Sequence, residues 1–135
     1  MALSYRDLGV WQKAMDLTVA IYGVTENFPK SELYGLTAQM RGAAGSIPSN
    51  IAEGHGRRTS RQRYKFLEDS LGSAYELETW LELARRLHFV DNQSAEGLAD
   101  ELKRVGRGLT GLMAYVAKEA RSQPRRRRDT SPKEA

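Results

Sequence analysis

The chain has no cysteine among its 135 residues, which excludes a disulfide framework, thiolate catalysis and a thiolate metal site. No apolar run approaches the roughly 20 residues that a membrane-spanning helix needs. The opening Met-Ala-Leu-Ser-Tyr-Arg-Asp lacks the charged-then-apolar plan of a secretory signal, so a cytoplasmic protein without a membrane partner is expected. Catalytic patterns are missing too. There is no Gly-x-Ser-x-Gly elbow, no phosphate loop and no dinucleotide fingerprint, and Gly54-x-Gly56 is too short for one and follows a helix. Metal-binding helical bundles take Glu-x-x-His repeats from facing helices. Here Glu53 and His55 give a single Glu-x-His, and His88 lies far along the chain. Neither an enzyme nor a metal or other cofactor is expected.

What is present is charge, unevenly placed. The net charge is +4. Residues 121–135 hold six cations, among them Arg125, Arg126, Arg127 and Arg128, against Asp129 and Glu134. Residues 1–120 are therefore neutral, with 15 cations and 15 anions. The pI of about 9.5 belongs to the tail. Such a segment has nothing to bury, so residues 122–135 are expected to be disordered.

Apolar periodicity divides residues 1–121 into four helices forming one domain. The first spans about Leu8–Phe28 with Asp7 as its expected cap, and carries Val10, Ala14, Leu17, Ile21, Val24 and Phe28 on one stripe. Trp11, Met15, Val19 and Tyr22 form a second stripe beside it. The second helix starts near Ser31 and turns Leu33, Leu36, Met40, Ala44, Ile47 and Ile51 inward. Pro48 falls inside this pattern, where it removes a backbone donor and crowds the Ala44 carbonyl, so one kinked helix is expected. Gly54 and Gly56 are expected to end it in left-handed conformations. The third helix runs from a cap at Thr59 or Ser60 to about His88, and the fourth over about 95–121. Gly106, Gly108 and Gly111 each cost up to about 1 kcal/mol against alanine. Together with Gly72 they predict close packing of helices three and four. The fold class is all-α, an up-down-up-down antiparallel four-helix bundle.

Ser46-Ile47-Pro48 followed by Asn50-Ile51-Ala52-Glu53-Gly54 is a particular combination, with Pro48, Asn50, Glu53 and Gly54 as its structural core. Tyr5-Arg6-Asp7-Leu8, Val10-Trp11-Gln12, Tyr34-Gly35-Leu36-Thr37, Gln39-Met40-Arg41, Ser70-Leu71-Gly72-Ser73-Ala74 and Glu76-Leu77-Glu78-Thr79 extend the pattern over about residues 5–113. These residues resemble the bacterial four-helix-bundle family encoded in 23S rRNA intervening sequences. That family is distantly similar to the accessory variability determinant of diversity-generating retroelements. The resemblance implies a homo-oligomer, typically a homopentameric ring with a central channel. Gly42 departs from it, since a second cation usually follows Arg41 there. Within the signature, Asn50 is expected to satisfy backbone groups freed by Pro48, and Glu53 to pair with Arg41 or Arg57 or to accept a backbone donor.

Arg57, Arg58, Arg61, Arg63 and Lys65 place five cations within nine residues and no acid between them. Cations at a helix start oppose the macrodipole, so local stability does not account for them. Phosphate contacts do, and Tyr64 is a candidate base-stacking partner. A solvated helix start is the plain alternative. Arg125–Arg128 is a second phosphate-binding candidate, without sequence reading. The expected function is a non-enzymatic homo-oligomer that binds nucleic acid, structured RNA ahead of DNA, through phosphates. The alternative is an interaction scaffold for a protein such as a retroelement reverse transcriptase.

Overall fold

A computed structural model describes residues 4–122, and they form four α-helices. These are α1 (Gly9–Thr25), α2 (Leu36–His55), α3 (Ser60–Arg86) and α4 (Asn92–Ser122), with single 3-10 turns at Tyr5–Asp7 and Lys30–Glu32. Each helix packs on its chain neighbours, α4 closes back onto α1, and no diagonal pair meets. The result is the expected up-down-up-down bundle, with no strand among the described residues. Arg125–Arg128 and the expected disorder of the tail lie outside the described residues.

The periodic positions make the core. Ala14, Leu17 and Ile21 of α1, Met40, Ala44, Ile47 and Ile51 of α2, Leu67, Ala74, Leu77 and Leu81 of α3, and Leu98, Leu102, Val105 and Leu109 of α4 belong to one buried cluster. Leu33 and Leu87 were expected inside and are instead about half exposed. Both lie beyond a helix end the periodicity overran. Pro29 disfavours helical geometry at Phe28, so α1 stops at Thr25, and Phe28 packs on Phe89 with ring centroids 5.5 Å apart. The second helix begins at Leu36, where Glu32 Oε1 accepts the Leu36 N–H at 3.1 Å. At the end of α3, His88 turns left-handed at φ 64° while the Phe89 N–H reaches the Ala84 carbonyl at 2.9 Å.

Caps also differ from expectation. Asp7 does not cap α1, whose N-cap is Leu8 without a side-chain bond. Asp91 caps α4 instead. One of its oxygens accepts the Ser94 N–H at 2.7 Å and the other the Ser94 hydroxyl at 2.9 Å. These bonds to Ser94, led by the backbone one, hold the Asp91 carboxyl below its ordinary pKa. An acid there also complements the helix dipole.

The signature residues organise the α1–α2–α3 contact. α2 runs unbroken through the buried Pro48. Pro48 has no N–H for the Ala44 carbonyl one turn back, and that carbonyl, at 3.1 Å, shares the Thr18 hydroxyl of α1 with the Ala14 carbonyl at 2.8 Å. Asn50, expected in this role, donates to the Ser46 carbonyl at 2.8 Å. Ser70, fully buried on α3, donates to the Ile47 carbonyl at 2.9 Å. Gly54 and Gly56 do not turn left-handed, and no glycine among the described residues has a positive φ. Gly54 is there for closeness, because a Cβ on it would stand 2.7 Å from the Phe66 Cβ of α3. α3 and α4 pack on each other, but not through the glycines expected to form their seam. A Cβ on Gly72, Gly106 or Gly111 would meet nothing within 4 Å, and a groove of about 250 Å³ opens beside Gly106. Gly108 is the close one, against Val10 of α1, where a Cβ would lie 2.8 Å from Val10 Cγ2.

Candidate nucleic-acid interface

The cationic cluster sits at one end of the bundle, where α2 hands over to α3. Its backbone is fixed locally. Thr59 caps α3 by accepting the Gln62 N–H at 3.1 Å, and the Arg57 N–H returns to the Gly54 carbonyl at 3.0 Å. Gly54 lets Phe66 approach, and the Arg57 guanidinium lies over the Phe66 ring, 4.7 Å from its centroid. Arg57 also faces Glu53 at 3.6 Å, one of the two cationic partners expected for that acid. The other, Arg41, lies over the Tyr22 ring at 4.5 Å and donates to the Thr25 hydroxyl at 2.8 Å.

The five cations are not equivalent. Arg63 turns inward and ties the bundle end together. It donates to the Arg57 carbonyl at 2.8 Å, to the Ser60 hydroxyl at 3.4 Å and to Glu119 of α4 at 3.3 Å. Its side chain is about four-fifths buried, so it holds the α3–α4 junction instead of facing solvent. Lys65 pairs with Asp69 at 2.7 Å, and the hydrogen bond and charge of Asp69 raise the Lys65 pKa. Arg58 and Arg61 are exposed and make no ion pair among the described residues. The cluster has no acid within it, yet Glu53, Asp69 and Glu119 reach it from adjoining turns and from α4.

Tyr64, the sequence candidate for stacking, is half-buried against the core. The exposed aromatic at this end is Tyr115 of α4. It lines a cavity of about 410 Å³ together with Leu8, His55, Arg63, Val116 and Glu119. Neither Tyr115 nor Glu119 was singled out from sequence. Tyr115 falls outside the apolar repeat of Leu109, Leu112 and Val116, and that was the available signal. No cluster of three or more acidic or histidine side chains suited to a metal occurs among the described residues. No described helix is long and apolar enough to cross a membrane.

The family model for the 23S rRNA-intervening sequence protein matches residues 6–111. The chain belongs to that family. Those residues contain all of α1, α2 and α3 and the first two thirds of α4, so the family is defined by the bundle and not by the arginines at 125–128. The bundle is also similar to the crystal structure of a protein of unknown function from the S23 ribosomal protein family of Bacteroides thetaiotaomicron. The two share 22% identity at a TM-score of 0.70, over 77% of this chain and 97% of that one. This likeness concerns the fold. No curated protein matches the chain. For this 23S rRNA-intervening sequence protein, the signature residues Pro48, Asn50 and Gly54 are bundle-building parts, and the exposed cations of the cluster without an ion pair among the described residues are Arg58 and Arg61.

Proposed function

We propose that this protein is a non-enzymatic, homo-oligomeric RNA-binding bundle that grips phosphates at the α2–α3 end. The observation that carries the reading is the placement of Arg58 and Arg61. They flank the start of α3, where no acid occupies the first turn and the dipole disfavours cations. No described acid neutralises them, and phosphate would. Arg125, Arg126, Arg127 and Arg128 add a second, sequence-indifferent hold.

Oligomerisation is supported by apolar surface on two opposite sides of the bundle. Met15, Val19 and Tyr22 stand exposed on α1, with Val19 at 68% exposure. Leu83 and Leu87 stand exposed near the end of α3, diagonal to α1. Two different patches facing apart make a head-to-tail contact, and head-to-tail contacts that close generate rings. A five-fold ring is the form the family resemblance implies. The same apolar surface, with Tyr34 at 93% exposure, favours the second reading, a scaffold that holds a protein partner such as a reverse transcriptase.

Salt separates the two. RNA binding through phosphates gives a log–log salt slope of about −0.7 per contact to a single strand. The full chain and a chain ending at Ala120 are to be compared. A shallower but persistent slope after truncation supports the bundle face, with Arg58→Ala and Arg61→Ala each lowering the slope by about 0.7, the share of one contact. Loss of all binding with the tail rejects the bundle face, and no binding by either chain rejects RNA and leaves the scaffold.

A further inference from the structure

The cavity at the α2–α3 end has a built interior. Leu8, Leu112 and Val116 wall both it and an adjoining hollow of about 40 Å³ that reaches Ile51, Gly54 and Leu67. Its mouth is polar, with His55, Arg63 and Glu119, and Tyr115 stands at the edge with 54% of its surface exposed. An apolar slot with a few convergent polar groups is the general form of a small-ligand site.

The mouth offers a donor and an acceptor side by side. Arg63 carries five N–H donors, three of which are committed to Arg57, Ser60 and Glu119. Glu119 uses one oxygen, Oε1, for both Ser60 and Arg63. Its second oxygen has no partner among the described residues. A ligand that suits this mouth is flat, apolar on its faces, and carries adjacent donor and acceptor groups on one edge. A free anion does not suit it, because Glu119 already answers the Arg63 charge.

We infer that this cavity receives one unpaired nucleobase, guanine being the best match, from the RNA whose phosphates lie along Arg58 and Arg61. The inference rests on the RNA reading above and deepens it. Guanine presents N1–H and its amino group beside the O6 acceptor, which answers the free Glu119 oxygen and the spare Arg63 donors. Tyr115 stacks the ring, as aromatics do in single-strand recognition. The occupant is a base because the unneutralised Arg58 belongs to the loop that Arg63 anchors through the Arg57 carbonyl. Arg58 is thus the next residue along the chain from one held by the slot residue Arg63. Base-paired RNA cannot enter, since its bases are stacked within the helix.

The test uses the full chain and three probes. These are a short labelled uridine strand with one central guanosine, the same strand with inosine in that place, and a duplex of matching length. Tyr115→Ala is expected to weaken the guanosine strand about five- to 150-fold and to leave the duplex unchanged. Tyr115→Phe is expected to bind as wild type, because stacking needs the ring and not the hydroxyl. Inosine, lacking the amino donor, is expected to bind more weakly than guanosine. If Tyr115→Ala leaves single-strand affinity unchanged, or weakens strand and duplex alike, the base slot is refuted while the phosphate reading stands. If the wild type binds neither form, both fall together. If Tyr115→Ala alters only sedimentation, another copy of the chain covers the cavity and the inference is overturned.

Discussion

Replacing Gly54 with alanine should loosen the end of the bundle that carries the cationic cluster. In an ordinary helix interior the substitution gains up to about 1 kcal/mol from backbone entropy. Here the new Cβ would stand 2.7 Å from the Phe66 Cβ and 3.4 Å from the Arg63 carbonyl oxygen. Neither neighbour is the free end of a flexible side chain, so α2 and α3 must separate. Overpacking of this kind costs about 1–3 kcal/mol, and the net expectation is destabilisation by about 1–2 kcal/mol. That corresponds to a fall in Tm of about 4–8 °C for a domain of this class. The assay is urea or thermal unfolding at fixed protein concentration, because assembly makes Tm concentration-dependent. Gly111→Ala is the internal control. It has open space around its Cβ and should gain up to about 1 kcal/mol. A Gly54→Ala protein as stable as wild type, beside a stabilised Gly111→Ala, would show that the α2–α3 approach is not what glycine permits there.

Gly108→Ala should behave like Gly54→Ala because Val10 is in the way, whereas Gly106→Ala should follow Gly111→Ala; parallel urea melts check the opposite signs. Thr18→Val leaves the Ala44 carbonyl without its donor and should cost about 1–3 kcal/mol. Much of that cost should vanish in a Pro48→Ala background, where the restored N–H serves the same carbonyl, and a double-mutant cycle reads the coupling. Glu82 is held at a pKa of about 2 by its hydrogen bonds to Arg85 and Arg86. Its depressed value means a contribution present above the ordinary 4.5 and lost as pH falls through about 2. Melts of wild type and Glu82→Gln should therefore converge towards pH 2, and the difference at neutral pH should be small and salt-sensitive because the pair is exposed.

The helices were legible in the sequence because burial repeats every three or four residues, and a stripe such as Leu98, Leu102, Val105, Leu109 needs no partner to be recognised. What failed was anything that depends on the identity of the neighbour. The sequence pattern makes the glycines turn-formers at 54 and 56, and an α3–α4 seam at 72, 106, 108 and 111. A missing Cβ states that something is close without stating what, and the close neighbours are Phe66 for Gly54 and Val10 for Gly108. Pro48 announced a carbonyl without a donor, but the donor arrived from Thr18, 26 residues away in sequence. The cationic cluster shows the same limit in charge. A run of five cations without an intervening acid looks uniform along the chain. Helix geometry nevertheless turns Arg63 into the bundle to meet Glu119, 56 residues later, and Lys65 meets Asp69 one turn on. What distinguishes Arg58 and Arg61 is therefore not their own pattern but the failure of any described acid to reach them. Selection for a local ion pair would have paired them cheaply, since one acid at an i,i+4 position suffices. Their bare charge at a dipole end that repels it is the physical reason to look for the counter-charge on another molecule.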